Sequence, residues 1–226
     1  MRKIILFSTL TFISLLAGAQ NIKGKLVVDF NDIKETMTTD RSSYDDQLQL
    51  FLKDDEMMRI DDYALLYYGQ SFLPQYNGGT DANEVAMKTF VNESNYAKIY
   101  ELGTKILKYN PVCINALFNI WQAAIKLGKP QAEIDSYQHK YWSLLYVISQ
   151  SGDGKSCGTA FKVICPNDQY YLMYSYLGID KIFSHDLDME HLCNIFKVTP
   201  CKNFDRQLLY IDISRYLLET AKEIKK

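Results

Sequence analysis

Two histidines and three carboxylates occur together in one seven-residue segment near the C-terminus, a combination that suits metal binding. The segment is His185-Asp186-Leu187-Asp188-Met189-Glu190-His191. In an extended conformation the two histidines project to one face and the three carboxylates to the other, because side chains alternate along a strand. In a helix the six-residue separation also places the two imidazoles apart, although Asp188 and His191 share a face. Neither conformation assembles a complete ligand set. We therefore expect a polar surface connection and no metal site.

A second segment, Gly152-Asp153-Gly154-Lys155-Ser156, ends like a phosphate-binding loop. The full pattern requires a glycine five positions before Gly154, where Ser149 stands, and it requires a strand before the loop and a helix after it. The order predicted for this chain is helix and then strand. We therefore expect no nucleotide cofactor. We interpret the segment as a tight turn in which glycines adopt positive φ and Asp153 accepts hydrogen bonds from nearby backbone donors.

Other arrangements for catalysis or ion binding are incomplete. The chain has no Gly-x-Ser-x-Gly motif, and nothing in the sequence pairs His139 with a particular Ser or Cys. We assign no catalytic residue and no cofactor. An acidic stretch lacks the alternating pattern of a calcium-binding loop, so we expect a solvated helical face. Its eight carboxylates are Asp40, Asp45, Asp46, Asp54, Asp55, Glu56, Asp61 and Asp62.

The first 19 residues have the organisation of a cleaved export signal. Arg2 and Lys3 precede an apolar run from residue 4 to residue 16, which is shorter than the roughly 20 apolar residues of a membrane-spanning helix. Ala17-Gly18-Ala19 is a small-residue cleavage site. We expect an exported protein, periplasmic or extracellular, that starts at Gln20 and keeps no stable membrane anchor.

Charge argues against a nucleic-acid partner. Cleavage lowers the basic count from 25 to 23 against 27 acidic residues, so the formal net charge falls from −2 to −4. No Lys/Arg cluster remains to contact phosphates.

Five cysteines remain after cleavage, and an exported protein meets oxidising conditions in which disulfides form. Cys193 and Cys201 flank a short predicted strand and are the pair that we favour. At least one thiol is left over because the number of cysteines is odd. Cys113 lies in an amphipathic helical pattern, where we expect a buried apolar side chain rather than a nucleophile. No Cys-x-x-Cys motif supports a redox pair or a zinc knuckle.

Seventeen tyrosines are many for a chain of 226 residues. We expect most of them to pack their rings in the core and to keep the hydroxyl hydrogen bonded. A partly exposed set would suit peptide or glycan binding. Our candidates for ligand binding are Tyr67, Tyr68 and Tyr76, because the loop after Pro74 could open beside them.

Helical periodicity dominates up to residue 150, with helices predicted over residues 63–72, 94–108, 112–127 and 130–149. Asp61 or Asp62 can cap the first of these helices, and Gly128 can close the third. The pattern then changes. Strands are predicted over residues 160–165, 192–198 and 208–213, a tyrosine-rich helix over residues 170–177, and a terminal helix from Arg215. We predict an α+β fold in which antiparallel helices of residues 20–150 pack on a small antiparallel sheet within residues 151–226, as one compact domain.

Two resemblances bear on this fold. Asn110-Pro111, Ala116-Leu117 and Leu127-Gly128-Lys129 resemble the tetratricopeptide repeat over one repeat and part of a second. Over roughly residues 29–215, the chain resembles the bacterial family known as domain of unknown function number 4919. The motifs that carry this resemblance, in order, are Tyr67-Tyr68-Gly69, Pro74, Tyr76, Leu127-Gly128, Ser151-Gly152-Asp153-Gly154, Thr159-Ala160 and Val163-Ile164. The resemblance implies an exported protein with repeat-like helices and carries over no catalytic residue.

These observations favour a non-enzymatic binding or scaffolding module whose partner is a protein, a peptide or a glycan. The alternative is a secreted hydrolase or carbohydrate-active protein with a site assembled from distant residues. A deep cleft with converging histidine and carboxylate groups would favour the enzyme, whereas a shallow tyrosine-lined groove would favour the binding module.

Overall fold

The computed structural model describes residues 26–78 and 82–223, so the predicted export signal lies outside the described residues. Up to Ser151 the described chain is helical. The helices are α1 (Phe30–Thr39), α2 (Arg41–Leu52), α3 (Ile60–Gln70), α4 (Ala82–Asn92), α5 (Tyr96–Tyr109), α6 (Ile114–Lys126) and α7 (Gln131–Gln150). Connections of three or four residues join α4 to α7, and such short connections make consecutive helices antiparallel neighbours.

Polar and glycine residues set the ends of these helices. The α3 helix begins at Ile60, earlier than predicted, because the Asp62 carboxylate reaches back and accepts the backbone N–H of Arg59 at 2.7 Å. Asp62 therefore caps the helix, as predicted, but it does so from inside the first turn and not from the position before the helix. Gly128 ends α6 with a φ of +62°, as predicted.

The C-terminal third contains a small sheet with short helical pieces around it. After a 3₁₀ turn (Cys157–Thr159) come β1 (Phe161–Lys162), α8 (Asp168–Tyr171) with a π-helical continuation (Leu172–Leu177), β2 (Ile182–Asp188), β3 (Cys193–Val198), β4 (Leu208–Asp212) and α9 (Ser214–Glu223). The strand order is β1-β4-β3-β2. The sheet is mixed, because β2, β3 and β4 are antiparallel whereas β1 runs parallel to β4. The expected α+β class is thus confirmed, while the purely antiparallel sheet is corrected.

Strand β2 was missed in the sequence because its side chains are largely exposed on both faces. An edge strand in this position shows no apolar alternation, so its polar residues indicated a surface connection. The predicted strand over residues 160–165 is reduced to the two residues of β1, because only Phe161 and Lys162 pair with β4.

One continuous core joins the helices to the sheet. Its buried members include Tyr67 of α3, Leu144 of α7, Phe161 of β1 and Ile211 of β4. No helix within the described residues has the length and apolar character that crossing a membrane requires.

The α5 and α6 helices approach closely at a glycine. A Cβ added to Gly103 would lie only 2.3 Å from Cγ1 of the fully buried Ile120. A glycine is therefore required for this helix spacing.

The glycine-containing segment after α7 is the tight turn that we interpreted from the sequence. Gly154 has a φ of +66°, and its N–H donates to the Thr159 carbonyl at 2.9 Å. The Asp153 carboxylate accepts the backbone N–H of Lys155 at 3.1 Å. The segment lies between a helix and a strand, in the opposite order from a phosphate-binding loop.

Candidate functional site

Two of the three tyrosines proposed for ligand binding, Tyr67 and Tyr68, lie in the core. Neither ring has exposed surface. The Tyr67 hydroxyl donates to the Asp168 carboxylate at 2.6 Å, and the Tyr68 hydroxyl donates to the Lys162 carbonyl at 3.1 Å. The physical reason is that α3 is buried on most of its circumference, between the N-terminal helices and the sheet. A ligand arriving from solvent cannot contact either ring in this structure, contrary to the expectation of an opening beside them.

The third tyrosine, Tyr76, is half-buried and lines a cavity of about 300 Å³ together with Gln70 and Tyr109. Its hydroxyl donates to the Ile164 carbonyl, and burial raises the pKa of the phenol. Its ring also packs near the Arg215 guanidinium, 5.6 Å away. The hydroxyl of Tyr76 therefore anchors the chain after β1 to the loop after α3, and only part of the ring faces the cavity.

The predicted disulfide between Cys193 and Cys201 is not formed. Both residues are free thiols, and Cys201 donates to the Leu177 carbonyl at 3.1 Å. Strand β3 starts at Cys193 and carries the chain roughly 17 Å away from it, whereas disulfide-bonded Cα atoms lie about 4.4–6.8 Å apart. Two cysteines at opposite ends of one strand are therefore too far apart to form a disulfide. Cys113 is buried, as expected for an apolar side chain, and desolvation raises the pKa of its thiol.

His139 lies near a cluster of three polar side chains that fasten α7 to the loop after α2. Ser136 donates to the Asp54 carboxylate, and Lys140 donates to both, at 2.9 Å to the Ser136 hydroxyl and 3.1 Å to Asp54. The His139 ring stays 3.9 Å from Asp54. Because Ser136 and Lys140 are both committed to the same carboxylate, the cluster is best explained as a connection between two elements.

An open cleft of about 550 Å³ lies between α4, α6 and α8, and we call it the α4–α6 cleft. Its volume falls within the roughly 300–1,000 Å³ typical of ligand sites. The α4 wall is partly apolar and exposes Val85 and Val91. The opposite side carries the amides of Asn115 and Asn119 on α6 and the exposed ring of Tyr170 on α8. Sequence analysis missed this cleft because it depends on three helices far apart in the chain.

A ladder of hydrogen bonds holds the polar side of the cleft. The side-chain NH₂ group of Asn115 donates to Glu84 at 2.8 Å, and the side-chain oxygen Oδ1 of Asn115 accepts from the Tyr171 hydroxyl, also at 2.8 Å. The Asn119 amide donates to the Asn115 side chain and backbone carbonyl, each at 2.8 Å. Burial, with a further contribution from the Asp168 charge, raises the pKa of Tyr171. The ladder therefore presents amide groups in fixed orientations, with the Glu84 carboxylate at one end.

Behind the ladder lies Asp168, a carboxyl group without access to the cleft. Asp168 is buried, and desolvation raises its pKa to about 8; the hydrogen bond from Tyr67 opposes this rise and the nearby Glu84 charge adds to it. The space between Asp168 and Glu84 is only about 20 Å³, roughly the size of one water molecule. A substrate in the cleft cannot exchange a proton with Asp168 directly.

The cleft is equipped to hold a ligand by amide hydrogen bonds and apolar contact. None of the three histidines, all within the described part of the chain, lines it. The cleft is lined by amides, by aromatic and aliphatic side chains, by the exposed Lys88, and by Glu84, which is held by Asn115. General acid–base chemistry needs a titrating group within hydrogen-bond reach of the substrate. The buried position of Asp168 does not meet that requirement.

Comparison with known proteins gives one family. No curated protein and no solved structure matches the chain. The family described as "Domain of unknown function (DUF4919)" matches residues 31–222. The match includes every helix from α2 to α8 and all four strands, so it covers both the helical part and the sheet. The chain therefore belongs to the DUF4919 family.

Proposed function

We propose that this protein is an exported, non-enzymatic binding module that holds a short extended peptide segment of a partner protein in the α4–α6 cleft. The single observation that carries the proposal is the pairing of an ordered amide ladder with an exposed apolar wall across one cleft. Amide groups complement the N–H and C=O groups of an extended peptide, and the valines complement its apolar side chains.

The position of the cleft in the helical stack supports this proposal. The α4 and α6 helices are both antiparallel to α5, so they run parallel to each other with the cleft between them. Stacked helical hairpins bind extended partners on surfaces formed in this way by alternate helices. The expected tetratricopeptide-like character of residues 94–127 agrees with this arrangement and remains part of the proposal. The composition of residues 1–19 supports export.

Selection from a random-peptide library tests the proposal. Protein secreted by cells that express the full chain is immobilised, and the affinity of each enriched peptide is then measured by calorimetry. Val85→Glu and Tyr170→Ala alter the two sides of the cleft at side chains that are 68% and 38% exposed. Val27→Glu and Tyr146→Ala are matched controls at positions that are 89% and 44% exposed outside the cleft.

We expect each cleft substitution to weaken binding of the enriched peptides at least tenfold and each control to leave it unchanged. Equal binding by the cleft variants would overturn the assignment of the cleft. If no peptide binds, but neutral oligosaccharides bind and the same two substitutions weaken that binding, then the ligand is a glycan and not a peptide. N-terminal sequencing that finds Met1 on secreted protein would contradict cleavage of the predicted signal.

A further inference from the structure

Three side chains with metal-ligating atoms meet where the 3₁₀ turn after α7 contacts the tip of the β2–β3 hairpin, and a fourth, Cys193, lies beside them. Cys157 belongs to the turn, Asp188 ends β2, His191 lies in the hairpin connection and Cys193 begins β3. One donor atom from each of Cys157, Asp188 and His191 lies within 4.8 Å of the other two. The α4–α6 cleft does not share any of these residues.

Backbone hydrogen bonds orient the carboxylate at the centre of this group. Asp188 Oδ1 accepts the backbone N–H groups of Glu190 at 2.9 Å and His191 at 3.0 Å. Its other oxygen, Oδ2, lies 2.9 Å from His191 Nδ1 and 4.0 Å from the Cys157 sulfur. Such second-shell hydrogen bonds fix a carboxylate in the orientation that a metal ion requires.

The hairpin brings a second sulfur to the same place. Asp188 and Cys193 are opposite each other in the β2–β3 register, and the buried Cys193 thiol interacts with the Cys157 thiol. The four donors are therefore two sulfurs, one imidazole nitrogen and one carboxylate oxygen. Thiolate and imidazole ligands in a set of four favour Zn²⁺ among the common divalent ions.

The spacing of the Cys157, Asp188 and His191 donor atoms is close to that of a tetrahedral zinc site. Zinc–ligand bonds of about 2.0–2.3 Å place the ligand atoms roughly 3.3–3.8 Å from one another. The pair formed by Asp188 and His191 is shorter than this at 2.9 Å, and the pair formed by Cys157 and Asp188 is slightly longer at 4.0 Å. Atomic shifts of less than about 1 Å bring both of these distances into range.

We propose that Cys157, Asp188, His191 and Cys193 form a structural zinc site that ties the turn after α7 to the β2–β3 hairpin. Four protein ligands leave no open position for a substrate, which distinguishes a structural site from a catalytic one. The ion would hold together two segments that lie 31 residues apart in the chain. This site is independent of the proposed peptide binding.

Zinc and cobalt titrations of the reduced full-length protein test the site. We expect one Zn²⁺ per chain by calorimetry, and we expect Co²⁺ to produce the thiolate-to-cobalt charge-transfer band of sulfur ligation. Cys157→Ser and His191→Gln should each weaken Zn²⁺ binding at least tenfold and reduce or shift the cobalt band.

Matched controls lie elsewhere in the same region. Cys201→Ser removes a thiol that donates to the Leu177 carbonyl, and His185→Gln removes an imidazole that stacks on Phe196 at 4.4 Å. Both should bind Zn²⁺ like the wild type. Circular dichroism of each metal-free variant shows whether it is folded. If Cys157→Ser does not fold, the cobalt band of His191→Gln still tests the site.

Three results would overturn the proposal. The first is no Zn²⁺ binding by reduced, folded protein. The second is equal binding by the wild type, Cys157→Ser and His191→Gln. The third is a Cys157–Cys193 disulfide found by peptide mapping of the protein secreted by cells, because that bond would consume both sulfur ligands.

Discussion

The buried Asp168 should make the free energy of unfolding depend on pH, and replacing it by asparagine should remove that contribution. Desolvation raises the pKa of Asp168 from 3.8 to about 8 in the folded protein. Between these two values the folded state holds a proton that the unfolded state releases. The free energy of unfolding therefore falls as pH rises through this window. The contribution of Asp168 to stability is fully present below the unfolded-state pKa, and it is lost as pH rises to the folded-state pKa.

The size of the effect follows from the linkage relation. Each pH unit inside the window is worth about 1.36 kcal/mol, so the three units between about pH 5 and pH 8 amount to about 4 kcal/mol at most. Asparagine does not titrate, and its side-chain oxygen can still accept the hydrogen bond from Tyr67. We expect Asp168→Asn to lose about 2–4 kcal/mol less stability than the wild type over this range.

Urea unfolding followed by tryptophan fluorescence measures this difference at several pH values from about 5 to 8. Asp205→Asn is the matched control, because the Asp205 side chain is 79% exposed. The control should show the same pH dependence as the wild type. Parallel stability curves for Asp168→Asn and the wild type would refute the reasoning, because they would mean that Asp168 is ionised in the folded protein throughout the range.

Three further substitutions should lower the free energy of unfolding, each measured by urea denaturation. Gly103→Ala should cost about 1–2 kcal/mol, because overpacking against the buried Ile120 exceeds the roughly 1 kcal/mol gained in helix propensity. Lys140→Met should cost about 1–2 kcal/mol, because Asp54 loses its cationic partner at 3.1 Å. Arg215→Lys should cost about 1–2 kcal/mol, since ammonium cannot reproduce the planar guanidinium contacts with Ser71 and Phe72.

Each of these substitutions has a control in a less demanding environment. Gly158→Ala adds a Cβ whose nearest contact is 3.9 Å away, Lys98→Met breaks an exposed ion pair with Glu101, and Arg206→Lys changes an arginine that is 63% exposed. All three should change stability by less than about 0.5 kcal/mol. If a control substitution lowers the free energy of unfolding as much as its counterpart does, then the close contact or the buried pairing is not the cause of the loss.

The local parts of the fold could be predicted because local physics decides them. Gly128 and Gly178 end helical segments with positive φ, and the periodicity of residues 112–127 indicated α6 correctly. Strands β3 and β4 were also found, since their apolar residues face the core. Strand β2 was missed because an edge strand exposed on both faces has no apolar pattern for periodicity to detect.

The candidate sites were much harder to predict because they depend on residues far apart in the chain. The α4–α6 cleft uses α4, α6 and α8, and no single segment contains its amide ladder. Likewise, the segment from His185 to His191 lacks a complete ligand set by itself. The chain turns after Asp188, which places His191 beside that carboxylate, while packing adds Cys157 from another segment. A search for sulfur and nitrogen ligands across the whole chain would have included Cys157 without revealing its proximity.

The sequence by itself determined the family, the α+β class and the approximate course of α5, α6 and α7, because these depend on short-range periodicity and on backbone preferences of individual residues. Tertiary structure alone decided which tyrosines are buried and which thiols are neighbours. Tyr67 and Tyr68 carry the same side chain as the exposed Tyr170, and only the packing of α3 between helices and sheet removes them from solvent. Burial and proximity are properties of the assembled core, so they arise only when distant segments pack together.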